Sequence, residues 1–260
     1  MYGIRKLSWL LSAQFGINLQ MMFRSICGLP QYVCDFFKFR SNYSGKLKLL
    51  PCLHEWHEEG GNTRDEYFWQ DLLVARKIFE AKPDKHVDIG SRVDCFVAHV
   101  ASFREIEVFD IRPITIQIPG VIFNQFNFMD SPGSMTGYCD SLSCLHSLEH
   151  FGLGRYGDPI DPKGFEYGLI NMAGLLKNGG VFYLSVPIGR ACVEFNAHRV
   201  FDPRVIINLC NMNALKLSAL SVIHQGNRII QVMPNESEFA ILANQRYALG
   251  IFTFVKCATV

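Results

Sequence analysis

His86-Val87-Asp88-Ile89-Gly90-Ser91-Arg92-Val93-Asp94 is a short apolar strand pattern closed by a glycine, and Phe96, Val97, Val100 and Phe103 follow it at helical spacing. The alternation continues outward in both directions. Further along, strands are predicted at residues 106–110, 121–126, about 140–145, and 181–186, the last cut by Pro187. A helix is predicted over 165–176, ended by Lys177-Asn178-Gly179-Gly180. Before the opening strand, residues 65–80 place Phe68, Leu72, Ala75 and Phe79 on one helical face, with Pro83 as the stop. Strands alternating with helices at this spacing predict an α/β protein built on a doubly wound, mostly parallel sheet. Residues 214–223, 228–232 and 249–256 are strand-like with little helix between them, which predicts an antiparallel edge.

Residues 1–50 differ in composition. Arg5, Lys6, Arg24, Lys38, Arg40, Lys46 and Lys48 stand against Asp35 alone, so this leader carries about +6 of a net +1 and leaves the rest about −5. Leu19, Met22, Phe23 and Ile26, then Val33, Phe36 and Phe37, predict two short amphipathic helices broken at Gly28-Leu29-Pro30. The expected division is a basic helical extension at 1–50 and an α/β domain at 51–260. The extension suits either a lid on the core or, through residues 1–40, peripheral contact with a membrane surface.

Composition narrows the classes. A net charge of +1 gives no overall field favouring nucleic acid, and no nucleic-acid partner is expected. Nine cysteines without a CxxC pair fit buried free thiols in a reducing, cytoplasmic setting. No apolar run reaches the ~18 residues of a membrane span.

In an open parallel sheet, ligands bind beyond the carboxyl ends of the strands, so the residues just past each strand are the candidates. After the first strand only Gly90 is a glycine; Arg92 and Cys95 fill the other positions of a GxGxxG pyrophosphate turn. Asp88 and Asp94, with Ser91 between them, suit a cationic sulfonium and ammonium better than phosphates. Asp110, followed by Ile111, ends the second strand, where a carboxylate can accept hydrogen bonds from both ribose hydroxyls. Past the third strand, Asn127 can pair with an adenine edge, with Phe128 and Met129 as an apolar wall.

The order DIG, VFD, NFMD, SLEHF and LKNGGVFYLSVP, over roughly residues 84–190, resembles the class I S-adenosylmethionine-dependent methyltransferases, a Rossmann-like fold. More narrowly, HVDIGSRVDCFVAHVASF, DSLSCLHSLEHFGLGRYGDPID, and SVPIG followed by EFNAHRVF resemble an uncharacterised family first defined from nematode proteins and found also in bacterial polysaccharide gene clusters. The resemblance implies S-adenosylmethionine near Gly90, Asp110 and Asn127. Arg92 and Asp94 stand where that class has glycines, and Asn127 where it has an acid.

Residues 143–158 are unusually polar for a segment following a strand. Methyl transfer to a hydroxyl needs a base within hydrogen-bond reach, and His150 and His198 are the first candidates, then His146, with Glu149 as an orienting carboxylate. No ligand spacing fixes a metal site, and none is expected. The function expected is S-adenosylmethionine-dependent O-methylation of a sugar or glycan precursor, with a small-molecule or glycan acceptor as the partner. One rival is a non-catalytic scaffold that keeps the fold and has lost the cofactor. Another is a nucleotide-sugar enzyme with a basic pocket at Arg92 and Arg112.

Overall fold

The structure is a computed structural model describing residues 2–61, 63, 65–224 and 228–258. The side chains of residues 2–7, His57 and Arg228 lie outside the description, and with them the charges expected at Arg5 and Lys6. The chain divides into two compact units, Met1–Asn62 and Thr63–Val260.

The first unit holds α1 (Tyr2–Phe15) and α2 (Leu19–Ser41). Asn18 caps α2 by accepting the Met21 N–H at 3.0 Å. The helix break expected at Gly28-Leu29-Pro30 lies instead at Gly16-Ile17-Asn18, and α2 runs through Pro30. Gly28 serves close packing: a Cβ there would strike the Leu53 carbonyl, so the glycine lets the following segment cross the helix. No described helix is long and apolar enough to cross a membrane.

The second unit is the α/β domain. Its strands are β1 (His86–Ile89), β2 (Ile106–Asp110), β3 (Val121–Gln125), β4 (Cys139–Leu145), β5 (Leu176–Ile188), β6 (Cys192–Glu194), β7 (His198–Val200), β8 (Leu215–His224), β9 (Arg228–Val232) and β10 (Ala248–Lys256). Eight of them form one sheet in the order β3-β2-β1-β4-β5-β10-β8-β9, parallel through β5 and antiparallel beyond it; β6 and β7 make a separate hairpin. This is the doubly wound sheet with an antiparallel edge that the pattern predicts.

The helices are α3 (Glu66–Ala81), α4 (Ala98–Ala101), entered through a π segment at Val93–Val97, α5 (Gly164–Leu175), α6 (Pro203–Met212) and α7 (Glu236–Asn244). Val74, Ile78, Phe96 and Val100 bury against one sheet face. Leu169, Met172, Ile206 and Leu242 bury against the other. Fully burying each such side chain contributes about 1.5–3 kcal/mol. Four-residue β1 is buried throughout, as a central parallel strand must be.

Three expectations are corrected. β5 begins at Leu176, because Gly179, at φ +79, turns the chain within the strand and lets Leu176 pair with Cys139. It also continues through Pro187 to Ile188, where Leu249 faces Pro187 across the β10 ladder. Helix α7 fills the connection between β9 and β10, capped by Asn235 accepting the Glu238 N–H at 2.9 Å.

Candidate active site

Strand order reverses between β1 and β4, which pair with each other in the parallel part of the sheet while the chain runs outward from β1 to β2 and β3 on one side and from β4 to β5 on the other. Beyond the carboxyl ends of β1 to β4 lies a cavity of about 540 Å³. That is the place and size for a small-molecule site in this architecture.

Gly90, at φ +71, starts the floor. Asp110 and Ile111 line the side beyond β2; Asn127, Phe128 and Met129 line the side beyond β3; His146 and His150 line the side beyond β4. The structure therefore brings most of the sequence-selected residues to one cavity. Asp88, Ser91, Glu149 and His198 are not among those lining it.

Asp88 is fully buried. Ser143 Oγ and Ser91 Oγ donate to Asp88 Oδ1 at 2.5 and 2.6 Å, and the Ser91 N–H donates to Oδ2 at 3.0 Å. Burial pushes its carboxyl up to about 7, against those hydrogen bonds. Ser91 Oγ also accepts the Leu145 N–H at 3.1 Å. Asp88 and Ser91 thus clasp the turn after β1 to β4 and fix the floor from behind.

Asp110 is held by its own loop. Arg112 places Nη2 2.5 Å from Oδ2 and Nε 3.0 Å from Oδ1, and its N–H donates to Oδ1 at 2.8 Å. The guanidinium lies over the Tyr156 ring at 4.5 Å. Arg92 is likewise paired, with Nη2 2.7 Å from Asp94 Oδ2. Asn127 Oδ1 accepts the Met129 N–H at 3.0 Å, a turn that presents the strand end to the cavity. Phe128 is buried edge-on against Phe109 and Phe126, with centroids 5.4 and 5.0 Å away, so it builds the wall from the core side.

His146 sits at the turn after β4 with φ +51, a left-handed conformation that a non-glycine residue rarely holds. Its ring stacks on Tyr67 at 4.5 Å. Nδ1 donates to Glu149 Oε1 at 2.8 Å; Nε2 lies 3.2 Å from Glu66 Oε1 but without hydrogen-bond alignment. Burial opposes charge on this ring, yet the bond to Glu149 and the nearby Glu66 outweigh it and raise His146 to about 10. Burial likewise opposes charge on Glu149, and the hydrogen bond and charge of His146 hold that carboxyl below its usual range. Tyr247 donates to Glu66 Oε1 at 2.5 Å. Glu66, Tyr67 and Tyr247 escaped the sequence reading. Glu66 and Tyr67 meet His146 through the packing of α3, Tyr247 joins them through Glu66 from the residue just before β10, and no local pattern marks them.

His150 is different. Its Nδ1 is 2.7 Å from the Ala197 carbonyl, so that nitrogen carries the proton and Nε2 is left with its lone pair. Nε2 lies 3.8 Å from Glu149 Oε1. Burial and the nearby Arg155 hold its pKa below the ordinary histidine value, despite Glu149. Both effects favour the neutral ring.

The segment carrying His150 is pinned twice. Asp158 accepts the N–H groups of Gly152, Gly154 and Tyr156 at 2.8 to 3.1 Å. Buried Arg199, on β7, donates to the carbonyls of Glu149, Phe151 and Pro162. His198, its neighbour, stands edge-on to Tyr247 at 6.3 Å. Among the described residues no group of three or more His, Cys, Asp or Glu is placed to hold a metal ion.

Residues 122–215 match a family described as "Caenorhabditis protein of unknown function, DUF268". No curated protein matches the chain in sequence. Among solved structures the chain is similar to the Burkholderia thailandensis 1,6-didemethyltoxoflavin-N1-methyltransferase, solved with 1,6-didemethyltoxoflavin and S-adenosylhomocysteine: TM-score 0.53, 13% identity, 88% of this chain and 87% of that one covered. It is also similar to the [4+2]-cyclase SpnF, with TM-score 0.54, 13% identity and coverage of 78% and 87%. A third is the N-methyltransferase NodS from Bradyrhizobium japonicum in complex with S-adenosylhomocysteine, with TM-score 0.50, 13% identity and coverage of 77% and 91%. Identities this low speak to the fold alone, and a cyclase among the three shows that this fold does not dictate one reaction. The chain has the class I methyltransferase fold, and its residues 122–215 are similar to that family.

Proposed function

We propose that the cavity binds S-adenosylmethionine and that the protein methylates a hydroxyl of a sugar or glycan precursor. One observation carries the reading: the cavity joins a ribose-competent carboxylate, Asp110, to a neutral histidine with a fixed tautomer, His150. The residues fit the cofactor. The cavity has the volume of a nucleoside site, Asp110 ends β2, and Asn127 and Met129 line the side where an adenine edge would lie. Asp110 would hold the ribose once Arg112 yields an oxygen, and Asn127 Nδ2, with Oδ1 already engaged, would face the base. When bound, the cofactor supplies an electrophilic methyl group.

This chain's own groups supply the rest. His150 Nε2 takes the acceptor's hydroxyl proton, and Glu149, close by, stabilises the imidazolium that forms. The Ala197 carbonyl keeps the ring from turning over. The sugar as acceptor rests on the gene-cluster context of the resembling family, and a cytoplasmic setting on nine cysteines that are all free.

We extend the reading to the leader. On α2, Phe23, Ile26 and Phe37 are exposed on one stripe, with Arg24 and Lys38 beside it, a pattern that suits a helix lying in a membrane interface. Full-length protein that floats with anionic vesicles, and loses this on deletion of residues 1–40, supports the contact; equal flotation of both overturns it.

The scaffold reading draws on a different observation, the Arg112 fork that already occupies both Asp110 oxygens. The nucleotide-sugar reading is disfavoured, because Arg92 and Arg112 are each held by a carboxylate. Calorimetric titration with S-adenosylmethionine and S-adenosylhomocysteine separates them. Micromolar binding that Asp110→Ala removes supports the methyltransferase; folded protein without binding leaves the scaffold.

A further inference from the structure

Three cationic arginines line the cavity, and two are compensated. Arg92 pairs with Asp94 and Arg112 with Asp110. Arg155 alone has no carboxylate partner among the described residues. The acid of its own loop, Asp158, is consumed by the three N–H groups of Gly152, Gly154 and Tyr156. Arg155 Nη1 donates to the Ala197 carbonyl at 2.7 Å, the same oxygen that His150 Nδ1 uses, and lies 3.4 Å from that nitrogen. Its guanidinium is 5.2 Å from the Tyr156 ring, which Arg112 approaches at 4.5 Å. An uncompensated guanidinium is therefore fixed beside the candidate base, and one nitrogen of its fork is used by the tether.

Resting on the proposed methyl transfer, we propose that the acceptor carries an anionic oxo group, a carboxylate or a phosphate, beside the hydroxyl to be methylated, and that Arg155 and Tyr156 receive it. A planar fork suits both anions. The shared Ala197 carbonyl sets the spacing: an anion on Arg155 holds the neighbouring hydroxyl toward His150 Nε2, which makes Arg155 a specificity-determining residue. The acceptor class is then an acidic sugar, such as a uronate or a sugar phosphate, in preference to a neutral one.

The test reads the arginine Nε–H resonances of full-length protein saturated with S-adenosylhomocysteine, with the Arg155 signal assigned through Arg155→Gln. D-glucuronate, D-glucose 6-phosphate and D-glucose are titrated separately. A saturable shift of the Arg155 signal with either anion and none with glucose is expected, and the stronger anion identifies carboxylate or phosphate. Arg155→Gln should weaken the binding, followed at Tyr156, about tenfold or more. No shift with any sugar, equal shifts with glucose, or anion shifts confined to Arg92 or Arg112 overturns the proposal. S-adenosylhomocysteine binding, read in the same samples, keeps the two readings apart. Cofactor binding without the anion response sinks only the acidic acceptor, and the titrations repeated without cofactor read the Arg155 site even if the cofactor reading fails.

Discussion

Arg112 closes over Asp110 with two side-chain contacts and one from its backbone, so both oxygens of the carboxylate at the end of β2 are already engaged within its own loop. Ribose hydroxyls must compete with that fork. The guanidinium is partly exposed, so solvent screens the pair and releasing it costs about 0.2–1 kcal/mol. Arg112→Ala should therefore tighten S-adenosylhomocysteine about two- to fivefold. Asp110→Ala removes hydrogen bonds to a charged group, worth about 1.5–3 kcal/mol, and should weaken binding at least about tenfold. Calorimetry of the two variants decides: if Arg112→Ala loses binding as Asp110→Ala does, the arginine is itself a ligand-holding group.

Gly90 is a turn glycine whose side-chain position is already filled. A Cβ there would overlap Ser147 Oγ, and φ is +71. Gly90→Ala should lower unfolding stability by about 1–3 kcal/mol through overlap and backbone strain together. Adding Ser147→Gly relieves the overlap alone, so the double variant should recover part of the loss. Urea unfolding measures both, and a Gly90→Ala protein as stable as the parent would contradict the geometry.

The parts of this molecule legible in sequence are those written locally. The buried run of β1, the glycine after it and the acid that ends β2 are short-range patterns, and they located the cavity. Asp202-Pro203, a cap followed by a first-turn proline, starts α6, a helix absent from the sequence-based expectations. Gly28 and Pro30 misled because their local meaning is a break, whereas Gly28 answers to Leu53, a partner far along the chain. Asp88 reads as a cavity acid from its place at the strand end. Serines on the neighbouring strand and in the following turn draw it inward, and only the register of β1 on β4 puts Ser143 opposite it. The set around His146 is the extreme case, assembled from α3, the turn after β4 and the residue just before β10, none adjacent in sequence.

His150 has the geometry of a base, and its removal should be felt in chemistry more than in binding. General-base catalysis contributes roughly 10²- to 10⁴-fold, so His150→Gln should slow methyl transfer by that order once an acceptor is in hand. S-adenosylhomocysteine affinity should stay within about twofold if, as proposed, the ring serves the acceptor and not the cofactor. The rate of the parent enzyme should fall on acidification as His150 protonates, at a pH below the ordinary histidine value, because burial and Arg155 disfavour the charged ring. A variant with unchanged single-turnover rate would move the base elsewhere, with His198 next in line.

Two buried groups make stability depend on pH in separate windows. Asp88 titrates at about 7 in the fold against 3.8 ordinarily. Its raised pKa means the folded state holds a proton that the unfolded chain has released. The stability tied to that proton is complete below about pH 4 and is lost as pH rises through 7. His146, raised to about 10 from 6.5, follows the same sign in a higher window. Its ion pairs contribute fully below about pH 6.5, and the contribution drains away as pH approaches 10. Asp88→Asn should flatten the decline between about pH 4 and 7, and His146→Gln the decline between about pH 6.5 and 10, each leaving the other window in place. Chemical unfolding at a series of pH values reads both. Parallel curves for parent and His146→Gln through the upper window would mean that His146 is neutral in the fold, and that Glu149 and Glu66 are not the partners holding its charge.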